Sequence, residues 1–182
     1  MSLAIKKTVL DAEGVKRSLV AMADEILAAE PDLDRLALVG IHTGGVFLAR
    51  RLQTIIREKT GIQIPTGVVD INLYRDDWTR VAQKPRVGRT ELRFNIDDRR
   101  MVLVDDVLFT GRTTRAAMDA LMDFGRPGRI ELAVLVDRGH RELPIYANYT
   151  ALTLNTSREE RVDVYFSELG QVDEVVIVSP NS

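Results

Sequence analysis

Cysteine is absent from the 182 residues, which excludes disulfides, thiol nucleophiles and thiolate metal sites together and suits a reducing compartment. Two histidines, His42 and His140, supply all the imidazole. That is too few for a multi-histidine centre, so any metal is a hard ion on oxygen ligands. No apolar stretch approaches the roughly 18 residues of a membrane span, and MSLAIKK lacks the hydrophobic run of a signal peptide. Neither sign of charge dominates: 25 Lys and Arg against 27 Asp and Glu give a formal net charge of -2. A surface attractive to nucleic acid over its whole extent is thereby excluded, and a basic patch would have to be local. There is no internal repeat and no low-complexity segment. What is present, 45% apolar and 29% charged residues, suffices for one compact domain of a soluble, cytoplasmic protein without membrane contact.

Asp11 reads as an N-cap, with Leu10 and Val15 as a hydrophobic staple, and Val15, Leu19, Met22 and Ile26 repeat at helical spacing until about Glu30-Pro31. LALVGI (36–41) is a continuous apolar run, as of a strand covered on both faces, with HTGG immediately after it. Residues 46–61 form an amphipathic helix ending at Gly61. TGVVDINLY (66–74) predicts a strand. From Arg75 to about Asp98 the chain turns polar and is too long for an ordinary connection, which predicts a flexible lid or projecting hairpin. MVLV (101–104), a helix over 114–125, and ELAVLV (131–136) follow, then strand-like runs VDVYF and EVVIV. The alternation predicts an α/β fold with an open, mostly parallel twisted sheet flanked by helices.

Chemistry concentrates in MVLVDDVLFTGRTT (101–114), where a buried strand leads into two carboxylates, a Thr/Gly loop and a helix start near Thr113. In an open parallel sheet, ligands bind at the carboxyl ends of strands, where a helix N-terminus offers free N–H groups to an anion. Gly111 lets the backbone approach that anion, and Thr110, Thr113 and Thr114 add hydroxyls without charge. Asp105 and Asp106 would repel a phosphate, so they face hydroxyls or positive charge, such as a ribose diol or a magnesium ion on a diphosphate. A phosphate at one end and a diol at the other describe a sugar phosphate. On the residues alone, acids capping a turn and threonines capping a helix read the same way. The P-loop and dinucleotide fingerprints are both missing.

VLVDDVLFTGRT resembles the phosphoribosyl-pyrophosphate (PRPP) motif of the type I phosphoribosyltransferases. DINLYRDD (70–77), GRP (125–127) and LAVLVDRGHRELPI (132–145) resemble one subfamily, the bifunctional pyrimidine operon regulators and uracil phosphoribosyltransferases (PyrR). The likeness runs from about Val9 to Val178. It implies the type I phosphoribosyltransferase fold in a single domain spanning 1–182, with a flexible lid (75–98) and a small hood, 137–165 being part of this hood and base-binding region. The implied activity is transfer of phosphoribosyl from PRPP to uracil, giving UMP and pyrophosphate. By the same resemblance, Asp105 and Asp106 are catalytic and hold the ribose hydroxyls. Phe109, Thr110, Gly111, Arg112 and Thr113 wrap the 5-phosphate, with Val107 and Leu108 leading into that run. Thr43 and Gly44 belong to the pyrophosphate loop. Lid cations, among them Lys84, Arg86 and Arg89, close over the diphosphate, while Arg138 and the backbone near Val162 lie at the uracil pocket. Magnesium arrives with PRPP and has no permanent cage. The resemblance also implies a homo-oligomer, dimer or higher, and pyrimidine-responsive transcription attenuation through leader mRNA.

The chain departs from the family pattern in two respects. The pyrophosphate loop reads GIHTGG, with Gly44 where the family carries arginine. Pyrophosphate binding then rests on backbone N–H groups and lid arginines, and an alternative reading follows: a nucleotide-sensing regulator with little transferase activity. The positions matching the family's RNA contacts are Val20, Ala21, Asp24, Ala29, Tyr146 and Leu152, none of them basic, and only His140 and Arg141 persist. Phosphate neutralisation supplies most non-specific RNA affinity, so weak RNA binding is expected here.

Overall fold

Covering an apolar run on both faces makes it an interior strand, and the short apolar runs of this sequence meet that fate. The computed structural model describes residues 5–29, 32–72 and 90–180. In chain order they form β1 (Ile5–Leu10), α1 (Ala12–Ala29), β2 (Leu36–Ile41), α2 (Gly44–Thr60), β3 (Thr66–Val69), β4 (Arg100–Leu108), α3 (Arg112–Met122), β5 (Arg129–Asp137), β6 (Tyr149–Thr153), β7 (Arg161–Tyr165) and β8 (Glu174–Ser179). Five strands make a parallel sheet in the order β3-β2-β4-β5-β6. The other three make a small antiparallel sheet, β1-β8-β7, from both ends of the described chain. Among the described residues no helix is long and apolar enough to cross a membrane.

Local chemistry sets the helix ends. The Gly14 N–H donates to Asp11 Oδ1 at 2.7 Å, so Asp11 caps α1, and Val15, Leu19, Met22 and Ile26 are its buried face. Gly61, at φ 73°, closes α2 in the left-handed conformation, its N–H bonded to Arg57 O at 2.8 Å. Helices α1 and α2 cover one face of the main sheet. The other face is covered by α3 together with Leu92, Phe94 and Ile96. Going from β2 through α2 to β3 the chain moves one way, and β4 then lands on the opposite side of β2. The strand order therefore reverses between β2 and β4, which opens a crevice at their carboxyl ends.

Several boundaries differ from the sequence expectation. The strand expected over 66–74 stops at Val69. There the Asp70 N–H turns to Thr90 Oγ1 (3.1 Å) and Asp70 Oδ1 accepts the Asn72 N–H (2.9 Å), a side-chain-mediated turn that ends the ladder. Of the 75–98 segment, residues 75–89 lie outside the described residues, and with them Lys84, Arg86 and Arg89. Glu91 exchanges two backbone hydrogen bonds with Val68, and Ile96 is core, so 90–96 is fastened to the sheet. β4 continues through both acids to Leu108, pairing with β5 as far as Asp137, and α3 starts at Arg112, two residues before the expected helix. Of the 137–165 segment, β6 extends the main sheet and β7 joins the small one.

Candidate active site

The crevice between β2 and β4 gathers most of the residues that the sequence singles out. From β4 come the two acids. Asp105 is 7% exposed, and its Oδ1 accepts the Asp106 N–H at 2.9 Å. Asp106 Oδ1 in turn accepts the Val107 N–H at 2.8 Å. Burial, and after it the charge of Asp106, pushes the Asp105 carboxyl well above the usual carboxylate range. A ligand bringing hydroxyl donors or positive charge to this pair offsets both the burial and the repulsion.

Leu108 ends the strand, and Phe109, Thr110 and Gly111 turn the chain into α3. Gly111 adopts φ 91°, a conformation that a side chain would strain, and a Cβ there would lie 3.2 Å from Ile145 Cβ. Among the described residues, the N–H groups of Thr110, Gly111, Thr113 and Thr114 have no protein partner, as expected at a helix start. They form an amide cradle beside the acid pair, reinforced by the positive end of α3. Thr110 and Thr113 are partly exposed beside it; Thr114 is buried against the sheet, so its hydroxyl is not part of the cradle. Arg112 sends its Nε to Glu142 Oε2 at 2.8 Å, and this bond holds the Glu142 carboxyl below its ordinary range.

His42 and Thr43, both exposed, lie at the end of β2, joined by a cis peptide bond, with Thr43 Oγ1 and His42 Nδ1 2.9 Å apart. Gly44 opens α2 directly against Asp106: a Cβ on it would sit 2.3 Å from Asp106 Oδ2 and 3.0 Å from Phe166 Cε2. The positive end of a second helix thus meets the acid pair.

Arg138, 5% exposed, stacks its guanidinium 4.0 Å from the centre of the Phe109 ring and donates through Nη2 to Ser157 O at 2.9 Å. Among the described residues its buried Nε has no partner, and burial lowers its pKa against the opposing pull of Glu160. Val162 is a core side chain of β7, leaving its backbone as what it can offer. His140 and Arg141 turn inward: His140 Nε2 is 2.6 Å from Thr156 O, and Arg141 bonds four groups of its own surroundings.

Sequence reasoning missed Phe166. It is 2% exposed, packs on Phe47 at 5.3 Å between ring centres, and walls the crevice beside Gly44 and Asp106. Only the docking of the small sheet on α2 brings it there, so no local pattern marks it. Arg51, which holds the following turn through Glu168 and Asp173, was missed for the same reason.

A family model described as the phosphoribosyl transferase domain matches residues 7–167. The chain is 54% identical over 171 residues to the bifunctional protein PyrR of Syntrophobacter fumaroxidans, covering 94% of this chain and 92% of that one. It is 51% identical over 181 residues to the bifunctional protein PyrR of Desulfosudis oleivorans, covering 99% and 100%. Among solved structures, a hypoxanthine-guanine phosphoribosyltransferase of Bacillus anthracis superposes with a TM-score of 0.73 at 15% identity, over 95% of this chain and 98% of that one, a likeness of fold alone. About half of the residues are shared along nearly the whole length with proteins of one name, and the acids and amides converge where an open α/β sheet takes its ligands, so the chain belongs to the phosphoribosyltransferase family and, within it, to the bifunctional PyrR proteins.

Proposed function

We propose that this protein is a uracil phosphoribosyltransferase, a glycosyl transfer enzyme that converts PRPP and uracil to UMP and pyrophosphate. The observation that carries the reading is the run from Asp105 to Thr113: an acid pair, then an amide cradle, at the crevice where the strand order reverses. The cradle takes the 5-phosphate through the N–H groups of Thr110, Gly111 and Thr113. Asp105 and Asp106 accept hydrogen bonds from the ribose hydroxyls, and their charge favours the positive charge that develops at the anomeric carbon. The diphosphate lies toward His42, Thr43 and the N-terminus of α2, with Lys84, Arg86 and Arg89 as its cations. Uracil sits by Phe109 and Arg138, with the backbone near Val162 at the same pocket. The bond between uracil N1 and the anomeric carbon forms as the carbon–oxygen bond to the diphosphate breaks. Pyrophosphate leaves with the electron pair and the N1 proton goes to water.

No protein nucleophile is required, so the rate comes from positioning, electrostatics and exclusion of water. Magnesium enters as part of the substrate, and the oxygen donors of the acid pair suit a hard ion on a diphosphate. A panel of radiolabelled bases (uracil, orotate, hypoxanthine, guanine) with PRPP and magnesium tests the reading. Labelled UMP from uracil alone is the expected result; no product from any base leaves a nucleotide sensor, and a purine or orotate product refutes the base assignment.

The same site, we infer, senses uridine nucleotides for a regulatory role. The RNA half of that role is weak in this chain: Asp24, at a position matching the family's RNA contacts, is ion-paired to Lys59 at 2.9 Å, and the Arg141 guanidinium is turned inward. Filter binding of pyrimidine leader RNA at low salt, with and without UMP, is expected to show weak, salt-sensitive retention. Tight, UMP-stimulated retention would reverse this part. Self-association into a dimer or larger homo-oligomer belongs to the same proposal and is read by sedimentation.

A further inference from the structure

We infer that Arg141 is a positioning residue for the phosphate cradle, acting inside the protein by turning two peptide planes of the 109–111 loop. The inference rests on reading that loop as the 5-phosphate site.

The guanidinium side chain is 13% exposed and spends its donors on four acceptors. Nε donates to Ile145 O at 2.8 Å, Nη1 to Phe109 O at 2.7 Å and to Gly139 O at 3.3 Å, and Nη2 pairs with Asp137 Oδ2. One of these acceptors, Phe109 O, belongs to the cradle itself. The next carbonyl of the loop is held by the same strap: Thr110 O accepts the N–H groups of Glu142 at 2.9 Å and Leu143 at 3.2 Å. Arg112 and Glu142 add a side-chain bond between the two segments.

In a trans peptide the C=O of one residue and the N–H of the next point in opposite directions. Fastening the carbonyls of Phe109 and Thr110 toward the 139–145 segment therefore aims the N–H groups of Thr110 and Gly111 the other way. Those two N–H groups are among the ones left without a protein partner. Without the strap, each plane is free to rotate, and a rotated plane presents a carbonyl oxygen to the phosphate instead of a donor. Arg141 suits this task because its planar fork reaches several carbonyls at once, which a lysine cannot do. The strap is itself tied by hydrogen bonds of its own. Asp137, which anchors the guanidinium, also accepts the Gly139 N–H at 2.9 Å, and Gly139 and His140 follow at φ 75° and 63°.

The test compares two probes that differ only in the 5-phosphate, UMP and uridine, binding by calorimetry to the full chain. Wild type is expected to prefer UMP. Arg141→Gln is expected to lose about tenfold or more of that preference, the range for one charge-assisted hydrogen-bond network, with uridine affinity unchanged. Arg141→Lys, which keeps a charge for Asp137 but cannot fork, is expected to show the same selective loss to a smaller degree. Unchanged uridine binding in either variant also shows that the variant is folded. A wild-type preference that survives intact in both variants, or a fall in uridine affinity equal to the fall for UMP, overturns the inference alone. A wild type that binds UMP no better than uridine overturns the reading of the cradle and the inference with it.

Discussion

Gly44 and Asp106 occupy each other's space: a Cβ on the glycine would fall 2.3 Å from the aspartate's Oδ2. The carboxylate cannot simply swing aside, because its other oxygen holds the Val107 N–H. A side chain here would therefore displace the acid from its present position. Gly44→Ala is expected to lower kcat/KM for PRPP by about tenfold or more while shifting the melting temperature little, since the colliding atom ends a side chain. Gly45 gives the contrast. Its Cβ would meet the Val104 carbonyl oxygen at 2.1 Å, which is backbone of the central strand. Gly45→Ala is expected to cost about 1–3 kcal/mol or more in stability by urea unfolding. The assignment fails if the two alanine variants exchange these phenotypes.

Asp105 gives a prediction about pH. Its carboxyl is held above the ordinary value of 3.8 by burial and by Asp106. A raised folded-state value means that the folded protein binds this proton more tightly than the unfolded chain does. Its stabilising contribution is complete below pH 3.8 and is lost as pH rises through the folded value. Asp105→Asn removes that loss, so the variant is expected to melt higher than wild type at neutral pH while releasing no pyrophosphate from PRPP and uracil. Lower melting together with retained turnover would contradict both the electrostatics and the role.

How much of this was legible beforehand depends on sequence distance. The interior strands announced themselves as continuous apolar runs, and the acid pair with its glycine and threonines lies within one stretch of chain. Contacts between segments far apart left no such trace. Arg51 meets Glu168 and Asp173 more than 110 residues away in sequence, |i−j| 117 and 122, and Phe166 reaches the crevice by the same docking. β1 was missed because six residues with two lysines carry no clear period, and it is a strand only because β8 pairs with it. Arg141 shows the reverse failure. As a letter in a basic-looking stretch it suggests a surface contact, and the carbonyls that claim it become visible only once the loop is folded.

Arg51 fastens the turn after β7 to α2, with Nε on Glu168 Oε1 at 2.8 Å and both Nη groups on Asp173 at 2.8 Å. The pairing holds Glu168 below its ordinary range; at Asp173 burial pushes the other way, but the Arg51 bonds and the Ser167 N–H prevail. Depressed carboxyls stabilise the fold above the unfolded-state values, 4.5 and 3.8, and this contribution fades as pH falls through the folded ones. Arg51→Ala is expected to cost about 1–2 kcal/mol at neutral pH, a modest figure because the cluster is partly solvated. The gap to wild type should close in melts taken below pH 4, and a gap that stays constant from pH 7 to pH 3 would rule out the linkage.

Far from the crevice, at the amino-terminal edge of the sheet, Arg100 and Glu131 form a buried pair. Arg100 Nε donates to Glu131 Oε2 at 2.9 Å, and its Nη2 lies 2.7 Å from the Tyr149 hydroxyl. That hydroxyl also donates to Glu131 at 3.0 Å, and Arg100 Nη1 reaches Ile26 O at 3.2 Å, tying the end of α1 to β4, β5 and β6. Glu131 Oε1 also pairs with the half-exposed Arg129 at 2.8 Å, so removing Arg100 leaves the buried carboxylate with that one cation and the Tyr149 hydroxyl, which still costs more than the intact network contributes. Arg100→Met is expected to lose about 3 kcal/mol in urea unfolding, the low end for a broken buried pair because Arg129 still meets Glu131. The double variant Arg100→Met with Glu131→Leu should recover much of that loss, since the one charge left without its partner, Arg129, is half exposed to water. Both variants, assayed where they are folded, should keep wild-type kcat/KM, because neither residue touches the crevice. A double variant no more stable than Arg100→Met alone would mean that the network stabilises the fold by more than satisfying its own charges.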